Sequence, residues 1–452
     1  MKKAFIIIAF LLVFALTACG GGKDSPVAAD ETSSDSSSAV QQAPEPEPEP
    51  LPEPLFDMGD LQLLQIAGKY QEEVPGMYDG VYLYNGGGTR LIDDFTNLTQ
   101  KAFCTIEGCT HKDESCEAVY IQPEVFDRNY IVGDKIYRIL SYNAYYDSNS
   151  FHLPNPVFER SPVFKIEKWE LDLSGYELLL EIENSRIIMT NTVINDGKAL
   201  YLDIGNSSDD PLEDPAISMD TGESFLIRFD LTSGEITKLR DMKNRSLFGV
   251  GGREMLIWTL PEDNEDPKGM IAYSPEFDEE RELPMPPDDV QPLYSSKNAP
   301  FYKDWLYYSL EDENSGTTAL MRYLCSTGES EEMAVFETTS LSVQGIIDNE
   351  VMAVCKDGDT REYFYVNAES KEVKNIPLSY TYYGDIYPCE IVATWQGNYI
   401  VKNGALTDKG EMNPFPPVET MRPAYAMISK DDYWAGEANF TEFQMFPPVT
   451  RL

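Results

Sequence analysis

The chain has 452 residues, of which 42% are hydrophobic and 12% are aromatic. That length is enough for a large core, and closed β folds of this size occur as single domains. Its 77 acidic and 35 basic residues give a formal net charge of −42. So acidic a surface repels nucleic acid phosphates and anionic lipid headgroups. We therefore expect no nucleic acid partner, and cations, basic proteins or neutral ligands instead, although acidity also simply keeps an exported protein soluble.

Residues 1–18 have the pattern of a secretory signal peptide. Two lysines precede an apolar run over residues 4–15 that is too short to span a bilayer comfortably. Leu16–Cys19, with the sequence LTAC, resembles the bacterial lipobox, in which the cysteine is lipidated and becomes the new first residue. The resemblance implies a lipid-anchored protein on the outer side of the cell membrane, with Cys19 as the lipidation site. The alternative is an ordinary signal peptide with an incidental cysteine.

Residues 19–54 are predicted to be the lipidated cysteine followed by a disordered linker. The segment is rich in serine at 33–38, and proline alternates with glutamate from Pro44 to Pro50. Alternate prolines favour polyproline II, which extends by roughly 3.1 Å per residue, and the glutamates repel one another. We expect a spacer that holds a domain off the membrane, typical of a Gram-positive surface. A proline-rich docking ligand is the alternative.

Residues 55–452 are predicted to form one all-β domain. The spacing of leucines in Asp60–Gln71 predicts a short helix at its start. After it, apolar runs recur roughly every 40 to 60 residues, each beside a turn pair such as Asp-Gly, Asn-Gly or Ser-Gly. No long helical run interrupts them, which argues against an α/β fold. The runs centre on Val81–Tyr84, Ile136–Ile139, Ala199–Leu202, Met255–Trp258, Trp305–Tyr308, Val351–Val354 and Tyr399–Lys402, and a further alternating strand lies between the second and third of them at Lys165–Leu171.

The clearest copy is a four-stranded antiparallel meander over residues 192–241, about the size of one propeller blade. Its outer hairpin, Phe229–Leu239, resembles the pattern xxxDLxTGExxxL of TolB-like secreted propellers. The resemblance implies a fold and not an activity. We therefore predict a β-propeller of about seven four-stranded blades. We also expect the C-terminal segment 424–446 to pair with residues near Val81 in a shared blade. The predicted strands of the copy are 192–194, 199–202, 224–230 and 236–239.

Three cysteines and a histidine lie within one short segment, with the spacing C-x4-C-x-H-x4-C. Cys104, Cys109, His111 and Cys116 can close a tetrahedral zinc site, and Gly108 would allow a tight turn between them. The stretch is similar to one in many lipid-anchored, propeller-like proteins of Firmicutes, where it implies no known activity. These four residues are our candidate metal ligands, with structural zinc as the cofactor.

Disulfides are the competing reading of the same residues. Without Cys19 the chain has six cysteines, an even number, and an exported protein permits disulfides. A histidine between the second and third cysteines is harder to explain by disulfides. A redox or catalytic role is a third alternative. We expect Cys325, Cys355 and Cys389 to be buried small hydrophobes in strands.

Catalytic motifs are missing from the sequence. The only histidines are His111 and His152, and no G-x-S-x-G, H-E-x-x-H, Walker A or EF-hand pattern occurs. Adjacent acids are frequent but carry no diagnostic weight in so acidic a chain. Aromatic residues near loops indicate a binding face instead, or else blade packing. They are Tyr142, Tyr145, Tyr146, Tyr380, Tyr382, Tyr383, Tyr433 and Trp434.

Our favoured hypothesis is a surface-anchored, non-enzymatic propeller that binds a protein or glycan ligand. The alternative is a carbohydrate-active lyase or hydrolase whose acids and tyrosines converge at the central channel. A third hypothesis is an assembly or sensing component of an envelope complex. An open channel lined by convergent polar groups would favour the enzyme, and a plugged channel would weaken that hypothesis.

Overall fold

A computed structural model of the chain describes residues 54–65, 77–86, 89–111, 116, 118, 126–142, 163–183, 187–206, 224–260, 269–285, 301–302, 304–312, 314–358, 360–410 and 418–447. The predicted signal peptide, Cys19 and nearly all of the predicted linker lie outside this part of the chain. Residues Pro52–Leu452 form one compact unit. Among the described residues, no helix has both the length and the apolar character needed to cross a membrane.

Seven four-stranded antiparallel blades follow one another along the chain, which confirms the predicted β-propeller and its blade count. Blade 1 consists of β2 (Met77–Tyr78), β3 (Val81–Gly86), β4 (Thr89–Asp94) and β5 (Thr99–Ala102). Blade 2 consists of β6 (Phe126–Val132), β7 (Lys135–Tyr142), β8 (Val163–Glu170) and β9 (Glu177–Glu183). Blade 3 consists of β10 (Ile187–Asn195), β11 (Ala199–Asn206), β12 (Ser224–Asp230) and β13 (Ile236–Asp241).

The remaining blades repeat the same order, and each is built from consecutive strands. Blade 4 consists of β14 (Arg245–Gly251), β15 (Glu254–Thr259), β16 (Gly269–Ser274) and β17 (Glu279–Leu283). Blade 5 consists of β18 (Phe301–Tyr302), β19 (Trp305–Asp312), β20 (Thr317–Leu324) and β21 (Glu329–Phe336). Blade 6 consists of β22 (Leu341–Ile347), β23 (Glu350–Asp357), β24 (Thr360–Asn367) and β25 (Val373–Asn375). Blade 7 consists of β28 (Glu390–Trp395), β29 (Asn398–Gly410), β30 (Val418–Ser429) and β31 (Thr441–Glu442), with a short helix α1 (Lys430–Ala435) between its last two strands.

Turn residues stabilise the hairpins of the blades, and the outer hairpin of blade 3 is an example. In blade 3 the Asp230 carboxylate accepts hydrogen bonds from the backbone N–H groups of Thr232 (3.0 Å) and Ser233 (2.8 Å). Gly234 follows with a φ of 72°, a conformation that most residues avoid. These backbone hydrogen bonds hold the pKa of Asp230 down at about 2. The motif recognised in the sequence is therefore a capped turn between the third and fourth strands.

The predicted sharing of one blade by the two ends of the domain is wrong. Val81 lies in blade 1 with β2–β5, whereas the C-terminal segment completes blade 7, because β31 pairs with β30. The two ends meet instead in an isolated parallel bridge between Thr99 and Gln444. Two backbone hydrogen bonds support it, from the Gln100 N–H to the Gln444 carbonyl (3.0 Å) and from the Gln444 N–H to the Leu98 carbonyl (2.8 Å).

A hydrophobic cluster fills each interface between neighbouring blades, including the interface that closes the ring. Tyr82 and Phe95 of blade 1 pack there against Tyr425 and Phe443 of blade 7. Phe95 and Phe443 meet edge to face, with ring centroids 5.7 Å apart. Burial of these apolar rings therefore closes the propeller without an exchanged strand.

The predicted helix at Asp60–Gln71 is also wrong where the structure describes it. Gln62–Gln65 form a strand, β1, which pairs antiparallel with β10 as a fifth strand of blade 3. Leu63 packs toward the interface of blades 3 and 4, and Leu64 toward that of blades 2 and 3. Successive side chains of a strand point to opposite sides, so a strand places the two leucines in two different interfaces between blades. Pairing with β10 therefore outweighs the helix-like spacing of leucines in the sequence.

The described N-terminal segment, which begins at residue 54, contacts one face of the propeller. The Leu55 N–H donates to the carbonyl of Glu276 (2.8 Å), and the Leu61 N–H to that of Gly252 (2.9 Å). Asp57 forms an ion pair with Lys198. Lys198 and Gly252 lie in turns between first and second strands, so we name this side the turn face. The opposite side, which carries the connections between second and third strands, is the loop face.

Two structures stand on the loop face at blade 7. Strands β29 and β30 are longer than the other strands of their blade and form an arm beyond it, with register pairs as far as Gly410 and Val418. Beside the arm lies a separate hairpin of β26 (Ser379–Tyr382) and β27 (Asp385–Pro388), inserted between blades 6 and 7. We call it the tyrosine hairpin.

Candidate metal site and exposed aromatic surface

The four predicted metal ligands come together in the connection that leaves blade 1. The ligand atoms of Cys104, Cys109, His111 and Cys116 all lie within 4.8 Å of one another. Tetrahedral zinc has Zn–S bonds of about 2.3 Å, which places two sulfur ligands about 3.8 Å apart. Small side-chain shifts would therefore complete a coordination shell, and the cluster can hold a metal ion such as zinc.

Backbone geometry preorganises this loop for a central ion. The Ile106 N–H points at the Cys104 sulfur and the His111 N–H at the Cys109 sulfur, each at 3.4 Å. Gly108 and His111 both have positive φ, 71° and 51°, a left-handed backbone conformation that is uncommon outside glycine. In this conformation His111 Nδ1 lies 3.1 Å from the Cys116 sulfur.

Burial sets the protonation of the ligands when no cation is bound. It raises the pKa of the Cys116 thiol to about 12 and also raises that of Cys104. Burial lowers the pKa of His111, which favours the neutral imidazole. Three neighbouring thiolates in a partly buried site repel one another unless a cation compensates them.

The surroundings of the cluster join three parts of the ring. Cys116 is buried with Phe103 of the blade 1 exit and with Trp169 and Leu173 of blade 2. From the C-terminal segment, Phe446 packs edge-on against His111, with ring centroids 5.6 Å apart. Sequence reasoning missed Phe446, because nothing in its local pattern indicates a contact with a residue so far along the chain.

The six cysteines outside the N-terminus are present as thiols. Cys325, Cys355 and Cys389 are buried, as predicted, and each belongs to a different interface between blades. They therefore act as small hydrophobic residues of the core.

The predicted aromatic face divides into two groups. Tyr433, on α1, is fully buried between blades 6 and 7, and its hydroxyl donates to the Cys389 carbonyl at 2.8 Å. Trp434 is half-buried against the same cluster. Packing therefore explains this pair. Tyr145, Tyr146 and His152 lie outside the described residues, and so does the side chain of Tyr142.

The tyrosine hairpin carries the other group. Tyr383 and Ile386 at its tip are 73% and 74% exposed. Tyr380 stacks on Tyr387 with ring centroids 5.6 Å apart, and Tyr382 lies 4.5 Å from Tyr383. These contacts hold at one tip the two most exposed of the large apolar side chains that the structure describes.

No protein-family model and no curated protein matches the chain. Its fold is similar to TolB from Acinetobacter baumannii, at 10% identity and a TM-score of 0.32, over 80% of this chain and 77% of that one. It is also similar to an oligogalacturonate lyase from Vibrio parahaemolyticus, at 10% identity and a TM-score of 0.36, over 66% of this chain and 75% of that one. A structure from an analysis of two prolyl endopeptidases is 10% identical, with a TM-score of 0.43, and the match covers 81% of this chain and 55% of that one. These identities and TM-scores assign no family and no activity to this chain, and its own strand order shows a seven-bladed β-propeller.

Proposed function

We propose that this protein is a cell-surface lipoprotein whose propeller binds a protein or glycan ligand without catalysing a reaction. In this proposal Cys19 carries the lipid, residues 20–54 form the spacer, and the domain stands outside a Gram-positive cell membrane. The observation that carries the proposal is the tyrosine hairpin.

The hairpin has the features of a preformed recognition element. Its exposed tip, Tyr383 and Ile386, offers apolar area, and stacking of Tyr380 on Tyr387 fixes its base. The hydroxyls of Tyr382 and Thr407 are in hydrogen-bond contact, which ties the hairpin to the arm of blade 7. Rings that are already fixed lose little conformational entropy on binding, and aromatic anchors contribute much of the affinity of interfaces.

The position of the tether supports the same proposal. Residues 55–61 contact the turn face, whereas the tyrosine hairpin stands on the loop face. A linker that enters the domain at its turn face would leave the loop face, and the hairpin on it, unobstructed for a ligand.

The central channel supports binding rather than catalysis. Strand β1 pairs with β10, at the edge of blade 3 opposite the largely exposed strand β13. Since the blades of a propeller surround a central channel, we infer that β1 lies toward this channel and narrows it.

A binding experiment tests the proposal with the full chain in detergent, on a glycan array and in pull-downs from the native envelope. We expect a retained ligand whose affinity falls about tenfold in Tyr383→Ala, the usual effect of removing an aromatic anchor. Tyr78→Ala, which truncates a tyrosine that is 42% exposed in blade 1, is the matched control and should bind normally. Turnover of a polysaccharide without any retained ligand would contradict the proposal and favour the lyase or hydrolase.

The lipid anchor has its own test. In the Gram-positive cells that we propose as host, Cys19→Ala should abolish incorporation of labelled fatty acid and remove the protein from its lipid-anchored state. Labelling of the variant equal to that of the wild type would refute Cys19 as the lipidation site.

We also propose that Cys104, Cys109, His111 and Cys116 hold a structural zinc ion. Their donor set, three sulfurs and one imidazole within 4.8 Å, fits a closed structural site. Metal analysis of the purified full chain should find one zinc, and the three thiols should resist alkylation until it is removed. Loss of these thiols to disulfide bonds, without bound metal, would contradict the proposal.

A further inference from the structure

We infer that the metal site is the clasp of the ring: its ion fixes the C-terminal segment and so holds blade 7 against blade 1. The inference rests on the zinc proposal and goes beyond it, because a structural ion could equally well order only its own loop.

The first step is the way in which the ring closes. Blades 1 and 7 are each built from consecutive strands, so among the described residues no exchanged strand locks blade 7 to blade 1. Among the described residues, the backbone link between the two ends is the bridge of Thr99 with Gln444, three residues after β31 begins. A link of one bridge between two strand ends opens easily unless side chains hold it.

The second step is what holds the segment after that bridge. The Arg422 guanidinium, from the arm of blade 7, donates to the Phe446 carbonyl and to the Gln100 side chain of blade 1. Arg422 is only 1% exposed. It therefore joins blade 7, blade 1 and the C-terminal segment at a single buried point, directly beside Phe446.

The third step connects this point to the metal ligands. The Phe446 ring lies edge-on against the His111 imidazole, with centroids 5.6 Å apart, and it packs on the cluster that contains Cys116. His111 has a positive φ of 51°, and in this left-handed conformation its Nδ1 lies 3.1 Å from the Cys116 sulfur. A metal bond to the imidazole would enforce this conformation directly, and the Phe446 ring would gain a fixed surface.

Amide hydrogen exchange of the full chain tests the clasp, with the Gln444 N–H as reporter because it donates across the closure to the Leu98 carbonyl at 2.8 Å. Removal of zinc by a chelator, or Cys109→Ser, should speed its exchange about tenfold or more. Cys355→Ser, a buried thiol of another interface, is the matched control and should leave the exchange unchanged.

Phe446→Ala separates the clasp from a general loss of stability. This variant keeps all four ligands, so it should still bind one zinc. Its Gln444 amide should exchange fast with zinc bound, and chelation should speed it no further. If the wild-type Gln444 amide exchanged at the same rate with and without zinc, the clasp would be refuted although zinc is bound. A chain that binds no zinc at all would overturn both proposals.

Discussion

The buried carboxyl group of Asp93 should make the closure of the ring sensitive to pH. Asp93 lies in blade 1, and its Oδ1 accepts a hydrogen bond from the Gln100 amide at 2.7 Å. Its Oδ2 has no hydrogen-bond partner among the described residues. Burial raises the pKa of Asp93 from 3.8 to about 7, although Gln100 and the charge of Arg422 act in the opposite direction.

The sign of the effect follows from this raised pKa. The folded chain holds the Asp93 proton more tightly than the unfolded chain, so the stabilisation is complete below pH 3.8 and is lost as the pH rises through about 7. A shift of about three pKa units at 1.36 kcal/mol each corresponds to about 4 kcal/mol, as an order of magnitude. Asp93→Asn, which cannot ionise, should remove this part of the pH dependence.

Urea denaturation of the full chain between pH 4 and 8 measures the effect. The difference in unfolding free energy between Asp93→Asn and wild type should shift in favour of the variant by several kcal/mol across this range. Any cost of the unpaired amide is the same at every pH and does not change the slope. Asp385→Asn, on the exposed tip of the tyrosine hairpin, is the control and should follow the wild type. Equal slopes for Asp93→Asn and wild type would refute the reasoning.

Three further substitutions test the fold, two by urea denaturation and one by limited proteolysis. Asp230→Ala should lower the unfolding free energy by about 1 kcal/mol at neutral pH, because the turn hydrogen bonds are lost. The pKa of Asp230 is lowered to about 2, so this difference from wild type should shrink as acid protonates the carboxylate. No loss of stability at neutral pH would contradict the role of Asp230 in the turn. Gly59→Ala would place a Cβ 2.4 Å from a carbonyl oxygen of blade 3 and should release the N-terminal segment to proteases, unlike Gly404→Ala, whose Cβ meets its nearest neighbour at 3.4 Å. Tyr433→Phe should lower the unfolding free energy by about 1 kcal/mol, because the Cys389 carbonyl loses its hydrogen bond from the tyrosine hydroxyl. Ligand binding should stay normal. Weaker binding at unchanged stability would instead place Tyr433 in the ligand site.

The sequence was sufficient for the blades because their signals are local. In blade 3, the alternation of apolar residues and the turn residues Asp230 and Gly234 lie within one hairpin, so the strands could be placed without knowing the rest of the chain. Strand β1 was missed because its partner, β10, lies more than a hundred residues away. A short leucine-rich segment takes whichever conformation its distant neighbour offers.

The candidate site shows the same limit. Cys104, Cys109, His111 and Cys116 could be grouped from their spacing, because all four lie in one loop. Phe446 and Arg422 could not, since each reaches the site or the closure through tertiary packing alone. Tyr433 resembled Tyr383 in sequence, as an aromatic residue near a loop, yet one is buried and the other is 73% exposed. The difference in exposure arises because Tyr433 lies on α1, which packs between blades 6 and 7.

The location of the Cys3His cluster favours a structural role. It can be compared with the joint between blades 4 and 5, where the end of the fourth strand of blade 4 meets the outer turn of blade 5. Between blades 4 and 5 the Tyr323 hydroxyl donates to the Pro284 carbonyl at 2.6 Å, and Gly328 is packed so closely that an added Cβ would lie 2.7 Å from Pro284. Between blades 1 and 2 the Cys3His loop occupies this position, packed against Leu173 of the outer turn. Packing of the cluster between two neighbouring blades is consistent with a role in joining them.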